Sequence, residues 1–455
     1  MSKSLSERLV KTQFLYWLLK TSAKILFYNY YKKITIFGEE NIPYGDPFIF
    51  APNHQNALMD ALAVLFTQKS NTVFLARADI FKGQRTINFL NFIKILPVFR
   101  QRDGIENLGK NEEIFDTTIE VLKNNRSVGI MPEGNHGDKH RLRNMVKGLF
   151  RIAFSAQEQL PDKTKSVKIV PVSLYYGHYI NCYASLVLNY GKPIDVKDYM
   201  EEYNENKPVA INKLKDKLRE SLSELMIDIQ HEEYYETIYF ISKLCNTPEH
   251  YNKNKDHKRK ALRKYAGQQQ IVRKMEKAVS GNVIFMPQLN YFTSSYLKGL
   301  TRLDLRDWIF RKNRYSLFNI LFNLVLLVIG LPVFIYGALF NAIPFTIPVK
   351  FSKKFKDPQF HSSVKFVIAF ILFVVLYLIY FVVVSIVFKT VLAGLLFIVS
   401  LPFAGHLALK ISFLYKKTIA KIRYNILTWK KNKDLLLMKD FRKKIILLVS
   451  DIINS

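Results

Sequence analysis

The 455-residue chain carries 67 Lys and Arg against 37 Asp and Glu, a formal charge of +30, with 35 Phe and 25 Tyr. That balance favours polyanionic partners, and aromatics gathered into long apolar runs select an anionic membrane or an acidic carrier protein over nucleic acid. Two distant cysteines, Cys182 and Cys245, exclude a disulfide framework or a cysteine metal knuckle and read as free thiols in a reducing compartment.

Residues 1–37 are basic and aromatic, with no cleavable signal peptide. The apolar stretch Phe14–Leu19 is followed at once by Lys20 and then Lys24, too short and too charged to span a bilayer. It reads as an amphipathic interfacial helix or as a core-packing one. Residues 38–200 alternate short apolar runs with helical stretches, which predicts an α/β domain. Strands are expected at 34–37, 48–51, 72–76, 94–98, 127–131, 167–174 and 183–190, and helices near 57–68, 106–124 and 146–158.

Residues 201–313 turn polar and helical, acidic first and then basic. Lys258, Arg259, Lys260, Arg263 and Lys264, with Lys253 and Lys255 before them, form a cationic block. It reads as a solvated helix face or, beside membrane segments, as an attractor of anionic lipid. Residues 314–415 form a membrane region with apolar runs of spanning length at Ser316–Asn341, Phe366–Phe388 and Val391–Leu409. Asn319, Asn323, Gly330 and Pro332 predict a kinked or re-entrant first run, and Lys389 alone predicts a tight hairpin between the other two. Basic flanks (Arg311, Lys312, Arg314; Lys350, Lys353, Lys354, Lys356; Lys416, Lys417) then favour a re-entrant segment followed by a two-span hairpin. In residues 416–455, Leu435, Met438, Phe441, Ile445, Leu448 and Ile452 recur at helical spacing opposite Lys439, Arg442, Lys443 and Lys444. This is a basic amphipathic helix, lying on a membrane or packed on the α/β domain.

The chemistry lies in two turns. Phe48-Ile49-Phe50-Ala51 breaks at Pro52 and leads through Asn53-His54-Gln55-Asn56-Ala57-Leu58-Met59 to Asp60. A histidine with a nearby carboxylate is the minimal apparatus for deprotonating a hydroxyl, because the carboxylate fixes the tautomer and stabilises the imidazolium. The blander reading is a helix-capping Asn53 and a solvated Asp60. Five residues separate His54 from Asp60, so Asp60 reaches the ring only if the intervening turn is not ideal helix. The second turn, Pro132-Glu133-Gly134-Asn135-His136-Gly137, follows the apolar run 127–131. Two strand ends of this kind meet at one edge of a sheet.

Together these turns resemble the glycerolipid acyltransferase family, whose blocks include N-H-(four or five residues)-D and P-E-G. Leu96–Arg102 resembles the family's arginine block, Val146–Ala153 its Lys-Gly segment, and Ile169–Val172 its late V-P-V strand. The five blocks span residues of about 35–195 in the family's order. Five intervening residues, where most members have four, resemble the branch with glycerol-3-phosphate acyltransferases, and Asn135-His136 departs from the common form. The resemblance implies an acyltransferase core, a mixed sheet flanked by helices, with His54 as general base and Asp60 orienting it. Arg100 and Arg102 are then phosphate contacts. Glu133 binds a glycerol hydroxyl or orders the turn, Gly134 lets backbone amides approach the ligand, Asn135 lies among the acceptor contacts, and Lys147 adds positive potential or snorkels along its helix. His136 and His140 are given no role, since a metal site needs more ligands than the neighbourhood offers.

The implied enzyme needs no cofactor. It moves an acyl group from acyl-CoA or acyl-carrier protein to a lipid-precursor hydroxyl, on glycerol-3-phosphate or 1-acylglycerol-3-phosphate. A lyso-aminolipid acceptor, or a catalytically silent lipid-binding protein of the same fold, are the alternatives. The expected setting is a bacterial inner membrane with the catalytic domain facing the cytoplasm. Nucleic acid is excluded as partner because no recognised module is present and the basic clusters border the apolar runs.

Overall fold

The computed structural model describes residues 2–10, 13–99, 109–245, 257–281 and 285–454. The chain divides into two compact units, one of Met1–Asp228 with Ser352–Phe366, the other of Ile229–Phe351 with Val367–Ser455.

The first unit opens with α1 (Ser2–Val10) and α2 (Phe14–Tyr30). It continues through β1 (Lys33–Phe37), β2 (Phe48–Pro52), α3 (Leu58–Thr67), β3 (Val73–Arg77), α4 (Gln84–Phe92) and β4 (Ile95–Val98). Then come α5 (Lys110–Lys123), β5 (Val128–Gly129), α6 (Gly148–Glu158), β6 (Lys168–Tyr176), β7 (Ser185–Tyr190), β8 (Ile194–Asp195), α7 (Met200–Glu205) and α8 (Lys207–Leu225). The sheet runs β1-β7-β6-β2-β5-β3-β4, with β8 also on β6. Neighbours from β6 to β4 are parallel, whereas β7 and β8 run antiparallel to β6 and β1 runs parallel to β7. The sheet is therefore mixed.

Strand β2 is buried along its whole length, as a central strand covered on both faces must be. Its residues alternate between two cores. Ile49 and Ala51 join Val128 and Ile169 beneath Phe150, Leu214 and Leu218, while Phe48 and Phe50 join Val170 and Val172 against Phe27, Met59 and Val64. This period-2 division makes a layer of helices on each face. Pro171 is tolerated in a central strand because its flank opens between the two antiparallel partners: β8 pairs with Lys168 and Ile169, and β7 begins at Val172.

Helix α2 packs into the core by one face. Tyr16 and Phe27 are buried, whereas Phe14, Leu15, Trp17 and Ile25 are exposed. The division at residue 38 is displaced, because β1 pairs with β7 and belongs to the sheet. The division at residue 200 moves as well, since the apolar stripe of α8 (Ala210, Leu214, Leu218, Leu222) lies in the sheet's core.

The second unit comprises α9 (Tyr235–Leu244), α10 (His257–Ser280), α11 (Met286–Arg302), α12 (Leu317–Ser352), α13 (His361–Val387), α14 (Val391–Trp429) and α15 (Lys433–Asn454), the ends of α12 and α13 nearest Ser352–Phe366 belonging to the first. Helices α12, α13 and α14 are long and apolar enough to cross a membrane by length and composition. The re-entrant bend is absent: α12 runs unbroken through Pro332, Pro344 and Pro348. Each proline removes only its own rung, and α12 lies so close to α14 that a Cβ on Gly337 would strike the Ala404 carbonyl. The apolar face of α15 packs within the second unit. Leu435, Met438, Ile445 and Val449 are buried, with Met438 pressed on Gly299 of α11.

Candidate active site

Strand β2 loses its ladder donor at Pro52, and Asn53 carries the pairing onward with its side chain. Its amide nitrogen donates to the Val172 carbonyl at 3.2 Å, its Nδ2 donates to the Leu174 carbonyl at 3.2 Å, and Leu174 N donates to its Oδ1 at 2.7 Å. Asn53 therefore caps no helix. Beyond it the chain turns sharply, Ala57 adopting φ 42°, and α3 starts only at Leu58. This non-helical turn takes up the extra residue between His54 and Asp60.

Asp60 is fully buried, not solvated. Its Oδ2 accepts the His54 Nδ1–H at 2.9 Å, the Gln55 N–H at 2.8 Å and the Asn56 N–H at 2.7 Å; its Oδ1 accepts the Tyr176 hydroxyl at 2.7 Å. Four donors fix the carboxylate, and the carboxylate fixes the ring. The Nδ1–H tautomer leaves the Nε2 lone pair outward, and Nε2 makes no hydrogen bond among the described residues.

The second turn clasps the same histidine from both sides. Glu133 Oε1 accepts the His54 N–H at 2.9 Å, and Gly137 N donates to the His54 carbonyl at 3.1 Å. Gly134 takes φ +63°, and a Cβ there would press on Val146, so the tight turn selects glycine. Glu133 is 5% exposed, and its Oε2 has no hydrogen-bond partner among the described residues. Burial pushes its pKa up to about 7, against the His54 amide and the positive groups of His54 and Arg143.

His136 lies beside the pair. Its ring centroid is 5.6 Å from that of His54 and 4.7 Å from that of Phe360, edge to face with both. Burial is the main cause that lowers its pKa to about 4; His54 and Arg77 lower it further, while Asp60 and Asp357 oppose them. The imidazole is thus neutral at neutral pH. Two imidazolium charges about 5.6 Å apart would repel by about 3 kcal/mol at an effective dielectric near 20, so a neutral His136 leaves His54 free to take a proton.

The structure thus gathers His54, Asp60, Glu133 and Gly134 at the carboxyl edge of the parallel strands, the usual address for a ligand crevice. Asn135 is half-buried in the same turn. Lys147 stands exposed at the start of α6, with no ion pair among the described residues. Arg100 and Arg102 lie outside the described residues. Sequence reasoning missed Tyr176, at the end of β6, and Arg77, at the end of β3. It also gave His136 no role and missed the 352–366 connection that touches it. The strand ends were signals for Tyr176 and Arg77, because the parallel strands β2, β3, β5 and β6 each lead into a residue of this site. No group of three His, Cys, Asp or Glu side chains suited to a metal occurs among the described residues.

Residues 33–175 match the model of a protein family described as Acyltransferase. They form an acyltransferase-family domain. Curated relatives named as acyltransferases are similar to the chain as well. One is a 1-acyl-sn-glycerol-3-phosphate acyltransferase of Borreliella burgdorferi, 30% identical over 145 residues that make up 31% of this chain and 51% of the relative. Another is glycerol-3-phosphate O-acyltransferase 2 of Saccharomyces cerevisiae, 34% identical over 113 residues, 25% of this chain and 15% of that protein. The chain thus spans about half of the first relative's length and far less of the second's. A crystal structure titled as the 1-acyl-sn-glycerophosphate acyltransferase PlsC of Thermotoga maritima aligns at a TM-score of 0.33 and 18% identity, covering 46% of this chain and 77% of that one.

Proposed function

We propose that the protein transfers a fatty acyl group from an acyl thioester to the hydroxyl of a glycerol-phosphate lipid precursor, glycerol-3-phosphate or its 1-acyl derivative. The observation that carries this reading is the His54–Asp60 pair, with Nδ1 held at 2.9 Å and Nε2 unengaged at the sheet edge. Nε2 takes the proton of the acceptor hydroxyl as its oxygen attacks the thioester carbonyl. The tetrahedral centre collapses with cleavage of the C–S bond, and the His54 imidazolium returns the proton to the departing thiolate. Asp60 holds the ring throughout. No enzyme nucleophile is required, because the thioester is already activated. Neutral His136 adds no repulsion when His54 becomes charged. The acyl donor is acyl-CoA or acyl-carrier protein, whose acidic character suits a chain of charge +30.

Helices α12, α13 and α14 and the exposed apolar face of α2 are read as the membrane attachment. Lys353, Lys354 and Lys356 before α13, with Lys416 and Lys417 near the end of α14, support a reading in which both ends of that hairpin lie on the cytoplasmic side of a bacterial inner membrane.

The test is an assay on purified, detergent-solubilised protein with labelled acyl-CoA and acyl-carrier protein. Acceptors are glycerol-3-phosphate, 1-acylglycerol-3-phosphate and lyso-aminolipids. Transfer to one of the glycerol phosphates, falling ~10³-fold in His54→Ala, is expected. Transfer that persists in the variant overturns the assigned base, and transfer only to a lyso-aminolipid overturns the acceptor.

A further inference from the structure

The connection between α12 and α13 is not a free loop. Ser362 Oγ donates to the Tyr179 carbonyl, Ser363 Oγ to the Asn56 carbonyl at 3.4 Å, and Lys365 Nζ to the Ile180 carbonyl at 3.0 Å. Asn56, in the turn between His54 and Asp60, donates its own Nδ2 to the Tyr179 carbonyl at 3.1 Å. The Phe366 ring sits against Phe27 and Tyr30 at 6.2 and 6.1 Å. Four residues in the first turns of α13 are thus engaged with the α/β unit, and Phe360, the last residue before that helix, meets His136. The His136 ring thus touches both Phe360 and His54.

We propose that Phe360 is a positioning residue of the transfer site, acting through His136 by holding that ring against His54 and keeping water from it. The inference rests on the acyl-transfer reading above and assigns part of that site to a segment outside residues 33–175, the family-matched stretch. The groups facing His136 are His54 and Asp60 from the first turn, Arg77 from the end of β3 and Asp357 from the connection itself. The two cationic groups and the two carboxylates act in opposite senses, and exclusion of water is the main cause that keeps the ring neutral. Removing the Phe360 ring admits water, lets His136 protonate at higher pH, and sets a cation beside the ring that must itself become cationic during transfer.

Two measurements on the full-length protein test this. The first is the pH profile of turnover for wild type, Phe360→Ala and Phe360→Tyr. Phe360→Ala is expected to lose ~10-fold at pH 5.5 and within ~2-fold at pH 8, with the tyrosine variant restoring the wild-type profile. In His136→Gln the further loss on adding Phe360→Ala disappears, because the two act as one unit. The second needs no activity: exchange of the His136 C2 hydrogen for deuterium, followed by mass spectrometry, reads its titration directly. In Phe360→Ala the midpoint rises from about 4 to near the free imidazole's 6.5. It moves the same way, by less, in Ser363→Ala, which loosens the connection without emptying the aromatic contact. A Phe360→Ala profile parallel to wild type, or an unmoved His136 midpoint, overturns the proposal. If no acyl transfer is detected in wild type, the proposed function falls by itself while the exchange measurement still decides this inference.

Discussion

The turn that carries His54 and the apolar helices each bury a polar group and satisfy it, but only one of them leaves a valence open. Asp60 receives four donors, and one of them is an imidazole whose other nitrogen remains free. Asn341 of α12, 2% exposed, donates Nδ2 to the Gly337 carbonyl at 2.8 Å and to the Leu401 carbonyl at 3.3 Å, and accepts the Tyr377 hydroxyl at 2.8 Å. That network ties α12, α13 and α14 together and presents nothing outward. Burial with full satisfaction is what any polar group in a core requires. Chemistry needs the additional, unspent lone pair, and the contrast predicts where a substitution changes rate and where it changes only stability.

The largest effect is expected at the open network. Asp60→Asn keeps the size of the side chain but removes the charge, and its amide can present a donor where the ring nitrogen and two backbone amides all donate. His54 loses its fixed tautomer, so turnover should fall by ~10³- to 10⁴-fold with the fold intact by circular dichroism. A variant retaining a tenth of wild-type turnover would dissolve the distinction between the two networks.

Much of that contrast was legible in the sequence. Seven of the eight strands and three of the helices of the α/β domain emerged from apolar runs broken by Pro, Gly and Asn, because burial on both faces leaves a continuous signature. The two polar turns announced themselves by following those runs. What remained hidden is non-local. The strand order, the Tyr176 hydroxyl on Asp60 and the placement of residues 352–366 beside a turn at position 136 depend on pairings across more than a hundred residues. Helix α4 was missed because it is short and polar, with no buried residue, so no apolar stripe marks it. The re-entrant reading of α12 failed for another reason: prolines that would end a helix in water are carried through where neighbouring helices pack closely.

Glu133 sharpens the comparison from the site's own side. One of its oxygens supports His54 and the other is buried with no hydrogen-bond partner among the described residues, so ionisation is costly there. Its carboxyl titrates near 7 in the folded protein, against 4.5 for the free side chain. Below pH 4.5 both states hold the proton; between 4.5 and about 7 the native state holds more protons than the unfolded one, so stability falls as pH rises. Glu133→Gln keeps the acceptor for the His54 amide and cannot ionise. Its thermal midpoint relative to wild type should therefore climb between pH 5 and pH 8, by the equivalent of about 3 kcal/mol at most. A gap that stays constant across that range would mean that the buried oxygen is hydrated in solution.

The smallest effect belongs to the closed network. Asn341→Ala deletes three hydrogen bonds among apolar helices and strands the Tyr377 hydroxyl, yet polar contacts between apolar helices contribute only about 1 kcal/mol each because the separated helices find other partners. A loss of about 2–4 °C in thermal midpoint follows for a protein of this size, read by scanning fluorimetry in detergent. Turnover at a temperature well below the midpoint should be unchanged. A fall in turnover beyond about twofold, at a stability loss this small, would show that Asn341 acts in the reaction and that a network without an open valence can still serve it.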